Sequence, residues 1–259
     1  MSKLSDIETW PKKQIREVCV IDPSKKEING LDLNTIVSFG MMADLGENKR
    51  IFSPNGIKVL HEVKKGGFSY FKTNDVILAK MTPCFENGKS GIAQDLKNNI
   101  GFGSTEFYVI RSSGELDPNL LYYFISSDKF INEGKFNLIG TTGRRRLLKQ
   151  FVEHFIIPIP PLEEQKQIAT LFLSIETAIE QVEIQEKDLL NLRNTLINGL
   201  RGSKPQFGNL LNEGNTTIKK FGEVADCIEK HDKERDGITR FVGLENIKSG
   251  NFTIENWGD

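Results

Sequence analysis

The sequence predicts an α+β fold: a globular domain with a mixed β-sheet, followed by a long coiled-coil α-helix. Three observations lead there. Between residues 10 and 157, short β-like runs alternate with glycine-bearing turns and one well-signalled helix. After Pro158-Ile159-Pro160-Pro161 the pattern switches to an apolar repeat with a seven-residue period. Beyond Gly202, a polar linker gives way to a stretch that echoes the start of the chain. The organisation read from these shifts is a domain at 1–157, a helical spacer at 158–202, and a linker with an incomplete second copy at 203–259.

Taken in order, Asp75-Val76-Ile77-Leu78-Ala79-Lys80 and Glu106-Phe107-Tyr108-Val109-Ile110 carry the apolar and aromatic runs of strands, with turn formers between them. A helix starts where Asp117 serves as N-cap and Pro118 as first residue, and Leu120, Leu121, Phe124 and Ile125 share its apolar face. The prolines at 158–161 end the domain in extended chain, and Pro161 suits the first turn of the next helix. From there to Leu200 the chain has no proline, and its sole glycine is Gly199. Ile168, Ile175, Val182, Leu189 and Leu196 recur at seven-residue intervals, with Leu171, Phe172, Ile179, Leu192 and Leu200 beside them. A period of 3.5 over five heptads marks a coiled coil. Its 40 residues would reach about 60 Å at ~1.5 Å each. An ordinary helix lying on a core runs about 8–20 residues, whereas a seam of this length needs a partner helix.

The echo beyond the linker is ordered. Lys13, Ile15, Glu17 and Val18 align with Lys219, Phe221, Glu223 and Val224, and Phe39, Met42, Asp44 and Leu45 with Phe241, Leu244, Asn246 and Ile247. The offset falls from 206 to 202 between the two groups, as a loop deletion would produce.

The 259 residues carry 34 Lys+Arg against 35 Asp+Glu, a net charge of −1. Hydrophobic residues at 38% with 17 Phe argue for a packed core and against a disordered chain. Three cysteines at 19, 84 and 227 fit neither a disulfide framework nor a zinc cluster, and point to a reducing compartment. The first eight residues lack a signal-peptide core, and no apolar run approaches the roughly 20 residues of a bilayer span. The expectation is a soluble cytoplasmic protein with no membrane partner.

Charge distribution says more than its total. From Gly134 to Gln150 there are five basic residues, Lys135, Arg144, Arg145, Arg146 and Lys149, and no acid. Thr141, Thr142 and the three arginines, between flexible glycines, suit phosphate oxygens, which accept bidentate and N–H hydrogen bonds. The alternative for three adjacent arginines is a solvated face or a protein interface. The helix at 161–200 has the opposite balance, with seven acids (Glu163, Glu164, Glu176, Glu180, Glu183, Glu186, Asp188) against Lys166, Lys187 and Arg193. A second candidate surface is the loop Lys80 to Ser90, where Lys80, Thr82, Asn87 and Lys89 can bond base edges as well as phosphates; the alternative is a structural turn.

Enzyme signatures are wanting. Gly88-Lys89-Ser90 resembles the tail of a phosphate-binding loop, but Pro83 stands where that loop needs its first glycine. Gly101-Phe102-Gly103 lacks a surrounding strand–GxGxxG–helix unit, and no Asn/Asp-Pro-Pro-aromatic or Pro-Asp sequence occurs. His61, His154 and His231 are scattered without metal spacing, and His154 sits in an apolar run that suits a structural role. No catalytic residue and no metal ligand is assigned.

The run Gly140-Thr141-Thr142-Gly143-Arg144-Arg145-Arg146-Leu147-Leu148 through Ile156-Ile157-Pro158-Ile159-Pro160-Pro161-Leu162-Glu163-Glu164-Gln165-Lys166-Gln167-Ile168-Ala169 resembles the specificity subunits of type I restriction-modification systems. The stretches Asp75 to Ala93 and Gly101 to Phe107 are similar to one subclass of their target-recognition domains. The resemblance implies a non-catalytic subunit that reads one half of a bipartite site in double-stranded DNA. It implies methyltransferase subunits as partners, which hold S-adenosylmethionine, and a restriction and translocation subunit joined through the complex. Members carry two recognition domains and two antiparallel helices. One domain and one helix here suggest a homodimer through the 161–200 helix, or pairing with a second half supplied by a longer chain. A coiled-coil adaptor whose head does not bind DNA is the alternative from another class.

Overall fold

A computed structural model describes residues 9–141 and 143–201. The chain divides into two units, 1–186 and 187–259. The fold below is that of the first, with the end of the long helix alone described in the second. The second copy expected at 203–259, and Thr142, lie outside the described residues.

The chain opens with β1 (Lys12–Gln14), α1 (Ile15–Val18), β2 (Cys19–Ile21) and a 3-10 turn at Lys25–Ile28. Then follow β3 (Ile36–Gly40), β4 (Ile51–Phe52), β5 (Gly56–Val59), α2 (Leu60–Val63), β6 (Ser69–Lys72), β7 (Val76–Ala79), β8 (Ser90–Ala93), β9 (Ile100–Gly103) and β10 (Phe107–Ser112). The helical part comprises α3 (Pro118–Ser126), α4 (Asp128–Lys135), the hairpin β11 (Leu138–Ile139) and β12 (Arg146–Leu147), α5 (Lys149–His154), β13 (Ile156–Pro158) and α6 (Leu162–Arg201).

Two mixed sheets form the centre. One has five strands in the order β2-β10-β7-β8-β4, the other four in the order β5-β3-β9-β6. Pairing is antiparallel within each except where β4 meets β8 and β3 meets β9. β7 is buried at every residue, and its alternation assigns two cores. Val76 and Leu78 face the helical layer of α1, α3, α4 and α5, while Ile77 and Ala79 join Phe71, Phe52 and Phe107 between the sheets. A third cluster, with Val37, Leu60, Val63 and Phe102, lies under α2 on the outer face of the four-stranded sheet.

The expected helix is α3. Asp117 accepts from the Asn119 N–H as N-cap, Pro118 opens the helix, and Leu120, Leu121 and Ile125 are buried, with Phe124 partly so. Gly101-Phe102-Gly103, noted for its glycines, is the buried strand β9. A Cβ at Gly101 would run into the Phe71 ring and one at Gly103 into that of Phe107. β1 pairs with β13, so the two ends of the domain close on each other immediately before α6 begins.

Candidate nucleic-acid interface

The two surfaces that the sequence marked separately form one face. The turn after β7 runs beside the strand after the Gly140 loop. The Lys80 carbonyl accepts from the Leu147 N–H at 2.7 Å, and the Thr82 N–H donates to the Arg145 carbonyl at 2.9 Å. The Arg145 N–H returns a bond to the Thr82 hydroxyl at 3.1 Å across 63 residues of sequence. Met81 and Arg146 bridge in antiparallel fashion between them. The loop itself needs its glycines: Gly140 and Gly143 have φ of 124° and 89°, and a Cβ at Gly140 would press on the Arg144 carbonyl.

On this face the side chains divide by their partners. Arg145 Nη2 reaches Glu86 Oε1 at 3.1 Å. Arg146 forms a two-point fork on Glu106, with Nε to Oε2 at 2.9 Å and Nη2 to Oε1 at 2.5 Å. Lys149 lies 3.2 Å from Asp22 and donates to the Ile21 carbonyl. Asn87 donates to Glu47 Oε1 at 3.0 Å, and Lys89 reaches the Met42 carbonyl at 3.4 Å. Thr82 is buried, its hydroxyl engaged inward. Thr141 is exposed. Arg144 is exposed too, with no side-chain hydrogen bond or ion pair among the described residues.

Lys80 Nζ sits 4.9 Å above the Tyr108 ring. Burial lowers its pKa from the ordinary lysine value. Burial also pushes the Tyr108 phenol up to about 12, so it stays protonated and donates to the Leu147 carbonyl at 2.8 Å. Lys80, with Asp22, Lys25, Ser69 and Thr105, lines a cleft of about 260 Å³ beside the face.

Sequence reasoning missed the carboxylates. The acid-free stretch 134–150 acquires Asp22, Glu86 and Glu106 from elements far away in the chain, and no local pattern could pair them. It also missed Phe136, which is 91% exposed beside the root of the hairpin. His154 is exposed, its Nδ1 2.7 Å from the Gln150 carbonyl. Among the described residues no His/Cys/Asp/Glu group could hold a metal ion, and no helix is long and apolar enough to cross a membrane.

The base of α6 is sutured to the domain. Gln165, 1% exposed, accepts from the Asp117 N–H at 2.7 Å and donates to the Glu115 and Pro160 carbonyls at 2.9 and 2.8 Å. Ile168, on the seam by its spacing, packs against the domain's own core, and Phe172 lies 4.6 Å from the Tyr123 ring. Arg50 Nε meets Glu176 at 3.0 Å, while its Nη1 meets Asn119 at 3.0 Å. Leu171, Ile175, Ile179, Val182, Leu189, Leu192 and Leu196 remain exposed.

A profile described as "Type I restriction modification DNA specificity domain" matches residues 7–190. The chain is 36% identical over 148 residues to the type I restriction enzyme EcoAI specificity subunit of Escherichia coli, covering 57% of this chain and 25% of that protein. It is 32% identical over 194 residues to the EcoEI specificity subunit of the same species, covering 74% and 32%. The MjaVIII specificity subunit of Methanocaldococcus jannaschii is 30% identical over 129 residues, covering 47% and 30%. The chain thus spans a quarter to a third of the length of these relatives. A solved chain, described under "Structural basis underlying complex assembly and conformational transition of the type I R-M system", superposes with a TM-score of 0.50 at 18% identity. That superposition covers 72% of this chain and 43% of the other, and bears on the fold alone.

Proposed function

The chain belongs to the type I restriction-modification DNA specificity family, and from that membership we propose that its Lys80–Lys149 face reads one half of a bipartite site in double-stranded DNA. Arg144, Arg145, Arg146, Lys149 and Thr141 take phosphates, while Lys80, Asn87 and Lys89 contribute base contacts. Thr82 serves the face by holding the two segments together. The chemistry belongs to partners: methyltransferase subunits that hold S-adenosylmethionine, docked along α6, and a restriction subunit joined through them. The exposed seam of α6 takes an antiparallel helix of the same kind, from a second copy or from further chain of a longer subunit. The setting is the cytoplasm.

The observation that supports this best is the stitching of two segments, 63 residues apart, into one basic face. The test is a salt titration of DNA binding by the Arg144→Ala, Arg145→Ala, Arg146→Ala variant. Binding weakens, and the salt slope flattens by about 0.9 for each phosphate no longer neutralised. Changes at Lys80, Asn87 or Lys89 shift the preferred sequence, at about 1–3 kcal/mol for each good base contact. Unchanged binding in the triple variant would move the arginines to a protein interface. Purification with methyltransferase subunits, followed by reading the methylated motif, separates a symmetric split site from an asymmetric one.

A further inference from the structure

The arginines of the face do not stand free, and their partners lie deeper than they do. The Glu106 side chain is 17% exposed beneath Arg146 at 61%, and Glu86 is 28% exposed beside Arg145 at 43%. Glu106 is further fixed by its backbone: its N–H is bonded to the Ser104 hydroxyl, and its carbonyl accepts from the Lys80 N–H at 3.0 Å. Each carboxylate therefore sits behind a guanidinium on the DNA-facing side.

Resting on the DNA reading above, we infer that Glu86 and Glu106 are specificity-determining residues, which restrain Arg145 and Arg146 on arbitrary DNA and admit sequences whose base edges offer an amino group. An arginine already neutralised by a carboxylate gains little from a phosphate, since the exchange swaps one ionic partner for another. If the arginine leaves, the carboxylate is left against a polyanion. That cost is offset only where a base presents a donor, the N4 amino group of cytosine or the N6 amino group of adenine. Guanine O6 and thymine O4 repel it. Discrimination thus comes from a repulsive element as well as an attractive one.

The 259-residue chain, with Glu86→Gln, Glu106→Gln and both together, is titrated with a labelled duplex of random sequence. Each carboxamide frees one arginine. Random-duplex binding tightens, and the salt slope steepens by about 0.9, an extra weakening of about threefold between about 50 and about 200 mM salt. Selection from a random duplex library yields a motif without preference at one position. Adding Arg146→Ala to Glu106→Gln abolishes the gain; because removal of a negative charge alone also tightens random-duplex binding, a motif that keeps its preference at every position in the carboxamide variants overturns the inference. Thermal melts confirm that the variants fold. If the carboxamides bind random DNA no better than wild type while the triple-arginine variant loses binding, this inference is overturned and the DNA reading stands. If the wild type binds no DNA, both are overturned.

Discussion

Gln165 offers the sharpest test of how the recognition domain holds its spacer. Its buried amide makes three hydrogen bonds, to the Asp117 N–H and the Glu115 and Pro160 carbonyls. Gln165→Leu fills similar volume but takes the protein partner from all three backbone groups. At about 1 kcal/mol for each net bond, and about 1–3 for a buried group left unpaired, the loss is about 3–5 kcal/mol. At about 2–4 °C per kcal/mol, the melting temperature falls by roughly 10 °C. Gln165→Glu separates hydrogen bonding from packing. One carboxylate oxygen still accepts from Asp117, but the other faces two carbonyl oxygens. The ionised form is disfavoured in the fold, so the folded pKa of the new carboxyl lies above its unfolded value of about 4.3. The deficit is then complete above the folded pKa and shrinks as pH falls through it, when the protonated carboxyl donates to one carbonyl. Thermal unfolding followed by circular dichroism across this range, with hydrogen exchange at the Asp117 amide, reads both effects. A loss under about 1 kcal/mol for Gln165→Leu, or a pH-independent deficit for Gln165→Glu, refutes the reasoning.

Four further outcomes follow from the geometry. Asp75, 2% exposed, accepts from Arg111 at 2.7 and 2.6 Å and from the Lys72 N–H at 2.7 Å; Asp75→Ala costs about 1–3 kcal/mol in denaturant unfolding by leaving the Lys72 N–H and part of the Arg111 guanidinium unpaired, while Arg111 keeps Glu27. In the same network, hydrogen bonding from Lys72, with Arg111, holds the Glu27 carboxyl below its ordinary 4.5. Its stabilisation is present above that value and is lost as pH falls through the lowered one, so Glu27→Gln flattens the acid limb of the stability profile. Burial pushes the Cys19 thiol up to about 12, so in the native protein at pH 8 an alkylating reagent labels Cys84 and spares Cys19 until unfolding. Ile179 and Val182 are 53% and 63% exposed on α6; Ile179→Asp with Val182→Asp abolishes the proposed helix pairing in sedimentation while leaving the domain's melting temperature unchanged.

What the sequence made legible was local. The Asp117-Pro118 start of α3, the strand around Val76–Ala79 and the heptads of α6 are each written in a few neighbouring residues, and each stands where expected. The two-sheet arrangement was not legible, because parallel pairs join β3 to β9 and β4 to β8 across long stretches through strands of two to five residues. Gly101 and Gly103, set aside in the sequence as a nucleotide turn, have a packing reason: their missing side chains make room for Phe71 and Phe107. Gln165 was visible as part of a recognisable junction, but its role depends on backbone groups near 115 and 160 that no spacing rule connects. Ile168 fits the heptad yet packs on the domain, because the first turns of α6 are part of that core.

The net charge of −1 carries a final consequence for binding. In the sequence, the basic stretch is balanced by an acidic spacer lying elsewhere. The structure adds compensation on the face itself, where Asp22, Glu86 and Glu106 meet Lys149, Arg145 and Arg146. Of the six basic candidates, Lys80, Lys89 and Arg144 have no carboxylate partner among the described residues. Counterion release counts charges that are free to be exchanged for phosphate. The domain should therefore show a random-duplex salt slope near −2.7, from about 0.9 for each of three free charges, rather than about −5.4 for all six. A slope at the steeper value would mean that the carboxylates yield their arginines to any phosphate. Sequence preference would then rest on base contacts from the Lys80–Lys89 turn alone.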